Sequence, residues 1–242
     1  MSNNELFNSL KQFDTPTICN AIELFGIRPK TCGFGRPGMV QRSGDFHTPM
    51  VGYAVTAKIG AMFPETPEQK ELKFQLYESA RNVDGPSIIC IQDIDPQPLG
   101  SFWGEVQASI FKSLGAVGTL TAGGVRDIPA GDAVGFNFMS THVLVSHAYI
   151  HVEAIDCPVI LCGLEIRPGD LIHADIHGFT VIPREIAPQL AAACEGLAAN
   201  EGHVINPCRE AIKNGIRPSM EEIRAWNQAM ANANRDLAET LI

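Results

Sequence analysis

Arg126 and Asp127 stand side by side at the end of residues 115–127, GAVGTLTAGGVRD. A guanidinium next to a carboxylate at a strand end can hold an anion with one group and a divalent cation with the other. The plainer alternative is a surface ion pair that closes a turn. The tripeptide Trp103-Gly104-Glu105 upstream shifts the balance toward chemistry, because it opens a helix that feeds this run. Gly104 permits close backbone approach, and a helix starting there aims unpaired N–H groups and a partial positive charge at an anion. Carboxylates that carry bound water suit Mg²⁺ or Mn²⁺ better than Zn²⁺.

Several elements must hold these residues. Residues 117–120 read as a buried strand that Gly123 and Gly124 break, and residues 104–114 as a helix with Val106, Ile110 and Leu114 on one face. Upstream, Leu6, Leu10 and Phe13 recur at helical spacing. A second helix starts at Asp14-Thr15-Pro16 and stops at Gly26. Residues 27–48 read as a long loop, and 50–59 as a tightly packed strand. Thr66-Pro67-Glu68-Gln69 is a capping box for a helix running to about Asn82, ahead of an apolar strand at 87–92. Residues 136–182 carry short apolar runs (FNFM, HVLVS, PVILCG, DLIHA, FTVIP) bounded by Gly, Pro or Asp, which predicts strands in close succession.

From Pro183 the pattern is helical. A second capping box at 219–222 leads into a seam of Ile223, Trp226, Met230, Ala233 and Leu237. The seam fits packing either on its own domain or on a neighbouring subunit. The expected architecture is α/β: a layered β/β/α catalytic domain over residues 1–183 and a helical C-terminal extension over 184–242.

The chain has 242 residues, 45% of them hydrophobic, enough to bury a substantial core. A net charge of −9 argues against nucleic acid as a partner, since that needs clustered Lys and Arg. It does not exclude a small anionic substrate, which one arginine can bind locally. The seven cysteines are scattered without C-x-x-C spacing and several sit in apolar runs, which points to reduced thiols and a cytoplasmic setting. No window approaches a membrane span.

Other polar residues read more simply. His173, Asp175 and His177 could face one way as a metal cluster, but an Asp turn between two strands is the simpler reading. His147 and His151, four apart, could be ligands on a helix but read more simply as exposed or lining a loop, and Asp93 and Asp95 could cap the sheet near the pocket but read more simply as turn residues. His142 could meet a second substrate carboxylate. Gly33, Gly35 and Gly38 lack the strand before and the Lys-Ser/Thr after that a phosphate loop needs.

W-G-E at 103–105, G-A-V-G at 115–118, G-G-V-R-D at 123–127 and P-G-D-L-I-x-A-D-x-x-G-x-x-x-I-P at 168–183, in that order, resemble the regulator of ribonuclease activity A family. That family includes the class II 4-hydroxy-4-methyl-2-oxoglutarate aldolases. The resemblance implies a swivelling β/β/α fold, a homotrimer or homohexamer with sites between subunits, and a metal-dependent carbon–carbon lyase. Its substrate would be a 4-hydroxy-2-oxo dicarboxylate cleaved to pyruvate, with oxaloacetate decarboxylation as a side activity. By the same resemblance Arg126 binds the pyruvyl group and Asp127 anchors Mg²⁺ or Mn²⁺. Glu105 faces the metal's water shell, and the Gly104–Gln107 turn receives the substrate carboxylate through the N–H groups of Val106 and Gln107.

The sequence departs from the family at two places. Ala122-Gly123 stands where the family has Asp-Gly. The glutamate that aldolase members take from a neighbouring subunit falls in N-E-G-H-V-I, where Glu201 and His203 are the candidates and Glu201 is assigned to the metal. The alternatives are a non-catalytic regulator that docks on a ribonuclease through an acidic face, or a related lyase or hydrolase with another substrate.

Overall fold

The computed structural model describes residues 3–241. The scaffold of the site is a run of parallel strands: β2 (Met50–Gly60), β3 (Ser87–Asp93), β5 (Ala116–Val125) and β6 (Asn137–Val143) lie next to one another in that order. They are joined through α3 (Pro67–Arg81), then β4 (Ser101–Trp103) with α4 (Glu105–Ser113), then α5 (Ile128–Ala133). The sheet is extended to nine strands. β1 (Val40–Gln41) pairs antiparallel with β6, β7 (His151–Ile155) with β2, and β10 (Leu171–Asp175) with β2 and with β11 (Gly178–Ile182).

Period-two burial sorts the side chains into layers. On one face Val55, Ala57, Ile59, Ile89 and Ile91 pack with Leu76, Ala108 and Phe111 of the helices. On the other, Ala54, Ile88, Cys90 and Leu120 meet Val159, Leu161 and Ile166 of the hairpin β8 (Val159–Leu161)–β9 (Leu164–Ile166). The layers are therefore hairpin, sheet and helices. A third cluster joins α1 (Asn3–Leu10), α2 (Thr15–Leu24), Leu171, Ile182 and the first half of α6 (Ala187–Asn214), through Leu190, Ala193, Cys194 and Leu197.

Sequence explains the boundaries. Thr66 and Gln69 form the expected reciprocal cap, with Pro67 in the first turn. Asp14 caps α2 by accepting from Thr17 N at 2.8 Å. Gly215, at φ +64°, ends α6 in the left-handed region that glycine enters without penalty. Ser219 and Glu222 cap α7 (Met220–Leu241), whose seam residues Ile223, Trp226, Met230, Ala233 and Leu237 are all half-buried.

Three expectations are corrected. Gly123 and Gly124 do not break β5; the strand runs through both to Val125, with its register against β6 shifting between Thr121 and Gly124. Their role is close packing: a Cβ on Gly123 would lie 3.0 Å from Asp93 Oδ2, and one on Gly124 2.5 Å from Leu144 Cδ1. FNFM and HVLVS are not two strands, since Asn137–Val143 is continuous across them. His151 is neither exposed nor in a loop. It starts β7, buried, with Nε2 2.8 Å from Glu153 Oε1, while Glu153 Oε2 accepts from Gln69 Nε2 at 2.7 Å. That network ties β7 to the start of α3.

Candidate functional site

β4 and β5 leave the sheet together. Trp103 pairs in parallel with Val125, and Arg126 N donates to Trp103 O at 3.0 Å. Trp103 is fully buried, its ring stacked on Phe136 at 5.2 Å between centroids and leaning on Phe111 at 5.2 Å. Core aromatics of this kind are worth about 3–5 kcal/mol on truncation to Ala, so the root of the Trp103-Gly104-Glu105 turn is fixed by the core.

Beyond this root, Gly104 N-caps α4 with no side chain to offer. Glu105 N is engaged, but Val106 N and Gln107 N have no partner among the described residues. Asp127 supplies the contact to Glu105. Its backbone sits in the left-handed region at φ +52°, an uncommon place for a residue with a Cβ. Its side chain does not cap α5, the helix it precedes. Instead Oδ2 turns back to accept from Glu105 N at 3.3 Å and lies 3.8 Å from Arg126 Nε. A Cβ on Gly104 would come within 2.5 Å of that same oxygen, so glycine is what admits the carboxylate. Asp127 Oδ1 and the Arg126 Nη groups have no partner among the described residues, and both side chains are part-exposed, at 47% and 37%.

Gly104, Glu105, Arg126 and Asp127 therefore meet at one point, with Val106 (exposed) and Gln107 (half-buried) on the adjoining turn. The point lies at the carboxyl ends of the parallel strands, where open α/β sheets place their sites. Glu201 does not join it within one chain. It lies half-buried on α6 beside a hollow lined by Asn20, Glu23, Lys30 and Asn234, and His203 is exposed nearby on the same helix. A cavity of about 560 Å³ opens elsewhere, at the start of β2, among Tyr53, Val83, Asp156 and Arg184. Despite its size it holds none of the residues that meet at Asp127. The ledge between α4 and α5 is open to solvent in the single chain.

The donor set suits one class of metal. Among the described residues no three His, Cys, Asp or Glu side chains converge as a cage. A single carboxylate with a free oxygen and a second, Glu105, beside it matches an ion that keeps most of its waters, as Mg²⁺ does.

Further contacts around the site were not evident in the sequence. Tyr77 on α3 donates to Gln107 Oε1 at 2.8 Å. Thr141 donates from Oγ1 to Ala122 O, and Thr121 Oγ1 accepts from Gly123 N at 3.1 Å. These hydroxyls order the strand around Ala122. Asp93 ends β3 with Oδ2 buried and without a hydrogen-bond partner, and desolvation pushes its carboxyl up to about 6. Its place at a strand end was visible in the sequence; its burial against Gly123 was not. The His173–His177 stretch is the Asp turn: Asp175 accepts from Thr15 N and His177 N, both at 2.8 Å.

Comparison with known proteins agrees with the fold. The family model RraA-like: Aldolase/RraA matches residues 15–181. A protein of Halalkalibacterium halodurans named "Putative 4-hydroxy-4-methyl-2-oxoglutarate aldolase" is 29% identical over 128 residues, 52% of this chain and 57% of that protein. The match thus spans little more than half the length of that relative. An uncharacterised protein from Pseudomonas syringae superposes with a TM-score of 0.68 at 22% identity, over 93% of this chain and 94% of that one. Streptomyces coelicolor RraAS2, described as an unusual member of the RNase ES inhibitor RraA family, superposes with a TM-score of 0.65 at 22% identity, over 86% and 97%.

Proposed function

We propose, for a chain that belongs to the RraA-like (Aldolase/RraA) family, that it is a divalent-metal-dependent aldolase cleaving a 4-hydroxy-2-oxo dicarboxylate to pyruvate. The observation that carries this reading is the meeting of Asp127 Oδ2 with Glu105 N at 3.3 Å, beside Arg126 and on the turn whose Val106 and Gln107 amides have no partner among the described residues. An anion seated on those amides is placed within reach of a guanidinium and a carboxylate at once.

In this reading the first turn of α4 binds the C1 carboxylate through the Val106 and Gln107 amides, assisted by the helix dipole. Arg126 hydrogen-bonds the C2 keto oxygen. A base takes the C4 hydroxyl proton; we assign this to Glu105, on that same turn, acting through a water. The C3–C4 bond breaks, C4 leaves as a carbonyl, and the electron pair passes through C3 to the keto oxygen. Arg126 meets the negative charge that develops there, which is the role of an oxyanion donor. A proton delivered to C3 through the same water gives pyruvate. Asp127, with Glu105 beside it, would hold Mg²⁺ or Mn²⁺, which supplies Lewis-acid polarisation of the 2-oxo acid.

Exposed apolar side chains follow the carboxyl ends of the strands: Phe63 after β2, Leu99 after β3 and Val145 after β6. Exposed apolar surface of this kind marks interaction sites. A second copy over this rim would enclose the ledge and offer a route for Glu201 or His203 to reach it, in a homo-oligomer.

The test is pyruvate release from 4-hydroxy-4-methyl-2-oxoglutarate and from oxaloacetate, with and without Mg²⁺. Metal-dependent release supports the lyase. No turnover together with no metal binding overturns it and favours the ribonuclease-regulator alternative.

A further inference from the structure

Gln107 offers the ledge more than its backbone amide. It lies in the first turn of α4, three residues past the Gly104 cap, and its side chain is directed by Tyr77, whose hydroxyl donates to Gln107 Oε1 at 2.8 Å. Tyr77 cannot swing freely. Its ring sits edge-on between Phe74, at 6.0 Å, and Phe111, at 5.2 Å, and Phe111 lies one turn beyond Gln107 on α4. Burial pushes the Tyr77 phenol up, which keeps its proton on the oxygen as a donor. With Oε1 occupied, the Gln107 amide is oriented, and its Nε2 has no acceptor among the described residues. The same turn therefore carries a fixed NH₂ group and two backbone amides, none with a partner among the described residues.

We infer that the Gln107 side-chain amide, oriented by Tyr77, reads the second carboxylate of the substrate and so selects 4-hydroxy-2-oxo dicarboxylates over the corresponding monocarboxylates. The inference rests on the proposed function. The chemistry fits a neutral donor: the Val106 and Gln107 backbone amides take the first carboxylate, and an NH₂ group takes the second without adding a cation to compete with Arg126. Tyr77 acts as a positioning residue only, since it touches Gln107 and not the substrate.

The experiment compares 4-hydroxy-4-methyl-2-oxoglutarate with 4-hydroxy-4-methyl-2-oxopentanoate, which carries a methyl group in place of the second carboxylate; both release pyruvate. The full chain with Mg²⁺ is assayed alongside Gln107→Leu, Gln107→Glu and Tyr77→Phe, each checked for an unchanged unfolding midpoint. In Gln107→Leu the KM for the dicarboxylate should rise roughly tenfold or more with kcat little changed, the loss of a hydrogen bond to a charged group. Kinetics with the oxopentanoate should shift far less, because leucine keeps the Gln107 backbone amide that takes the first carboxylate. Gln107→Glu should be worse than Leu for the dicarboxylate, through like-charge repulsion. Tyr77→Phe, which keeps the ring packing, should move the KM in the same direction by a smaller factor. Equal effects on both substrates, or none on the dicarboxylate, overturn this inference while leaving the lyase standing. A wild-type chain that cleaves neither acid overturns the proposed function and the inference together.

Discussion

Asp127 spends one carboxylate oxygen on the amide of Glu105, 22 residues earlier and in a different helix, at 3.3 Å. A residue at the start of α5 thus completes the start of α4. The left-handed backbone at Asp127 is what turns the side chain that way. The loop between β5 and α5 and the cap of α4 behave as one unit.

Replacing Gly104 tests that unit. Gly104 is extended, at φ −162°, so alanine meets no backbone strain there. Its Cβ would fall 2.5 Å from Asp127 Oδ2 and push the carboxylate off Glu105. Gly104→Ala should lower kcat/KM for pyruvate release at least tenfold while costing only about 1 kcal/mol of stability. Steady-state kinetics beside urea unfolding reads both.

Arg126 faces the charge that the reaction develops, and its contact with Asp127 is half-exposed and long. Its loss should hardly touch stability. Arg126→Ala should cut kcat by roughly 10²–10³, in line with removal of an oxyanion donor. Arg126→Lys should recover little, because a point charge cannot reproduce the guanidinium fork. Comparable kcat in wild type and Arg126→Ala would rule out the assigned role.

Thr141 clamps the strand that leads into Arg126, through Ala122 O. Thr141→Val keeps the shape and removes the donor. It should cost about 1–2 kcal/mol and speed amide hydrogen exchange at Gly123 and Gly124. Exchange rates like those of the wild type would show that the clamp is dispensable.

Two buried groups should tilt stability against pH in opposite senses. His173 accepts from Thr15 Oγ1 at 2.9 Å and faces Leu10 O at 3.2 Å, and desolvation lowers it from 6.5 to about 4. As pH falls from 6.5 toward 4 the unfolded chain takes a proton that the fold refuses, so stability drops. Asp93 is raised from 3.8 to about 6. As pH rises across that window the unfolded carboxyl ionises while the folded one keeps its proton, so stability also drops, now toward high pH. In the wild type the two slopes offset one another. Asp93→Asn should make the loss on acidification steeper than wild type, and His173→Gln should make it shallower. Urea midpoints taken from pH 4 to pH 7 separate the two, and parallel curves for all three proteins would refute the assignment.

The sequence is most legible where local rules govern. Thr66 and Gln69 announce α3, and Ser219 and Glu222 announce α7, because caps are contacts between near neighbours. Arg126, Asp127 and Glu105 were legible by type and order, and the fold brings them together. Gly123 and Gly124 misled, because a glycine pair in a turn and one making room for Asp93 and Leu144 are spelled alike. The contact of Tyr77 with Gln107 was illegible for the same kind of reason: the two are 30 residues apart and meet only once α3 and α4 pack. Glu201 lies in another hollow of the same chain, apart from the residues that meet at Asp127, and nothing in its local sequence signals that separation.

The aromatic plug at Trp103 has an evolutionary consequence. The residue immediately before Gly104 is locked among Phe111, Phe136 and Phe138. A change there would unsettle the whole molecule before it altered any preference among ligands. Diversification is channelled instead to Val106 and Gln107, two and three positions past Gly104, where a new side chain can be tried at little risk to folding.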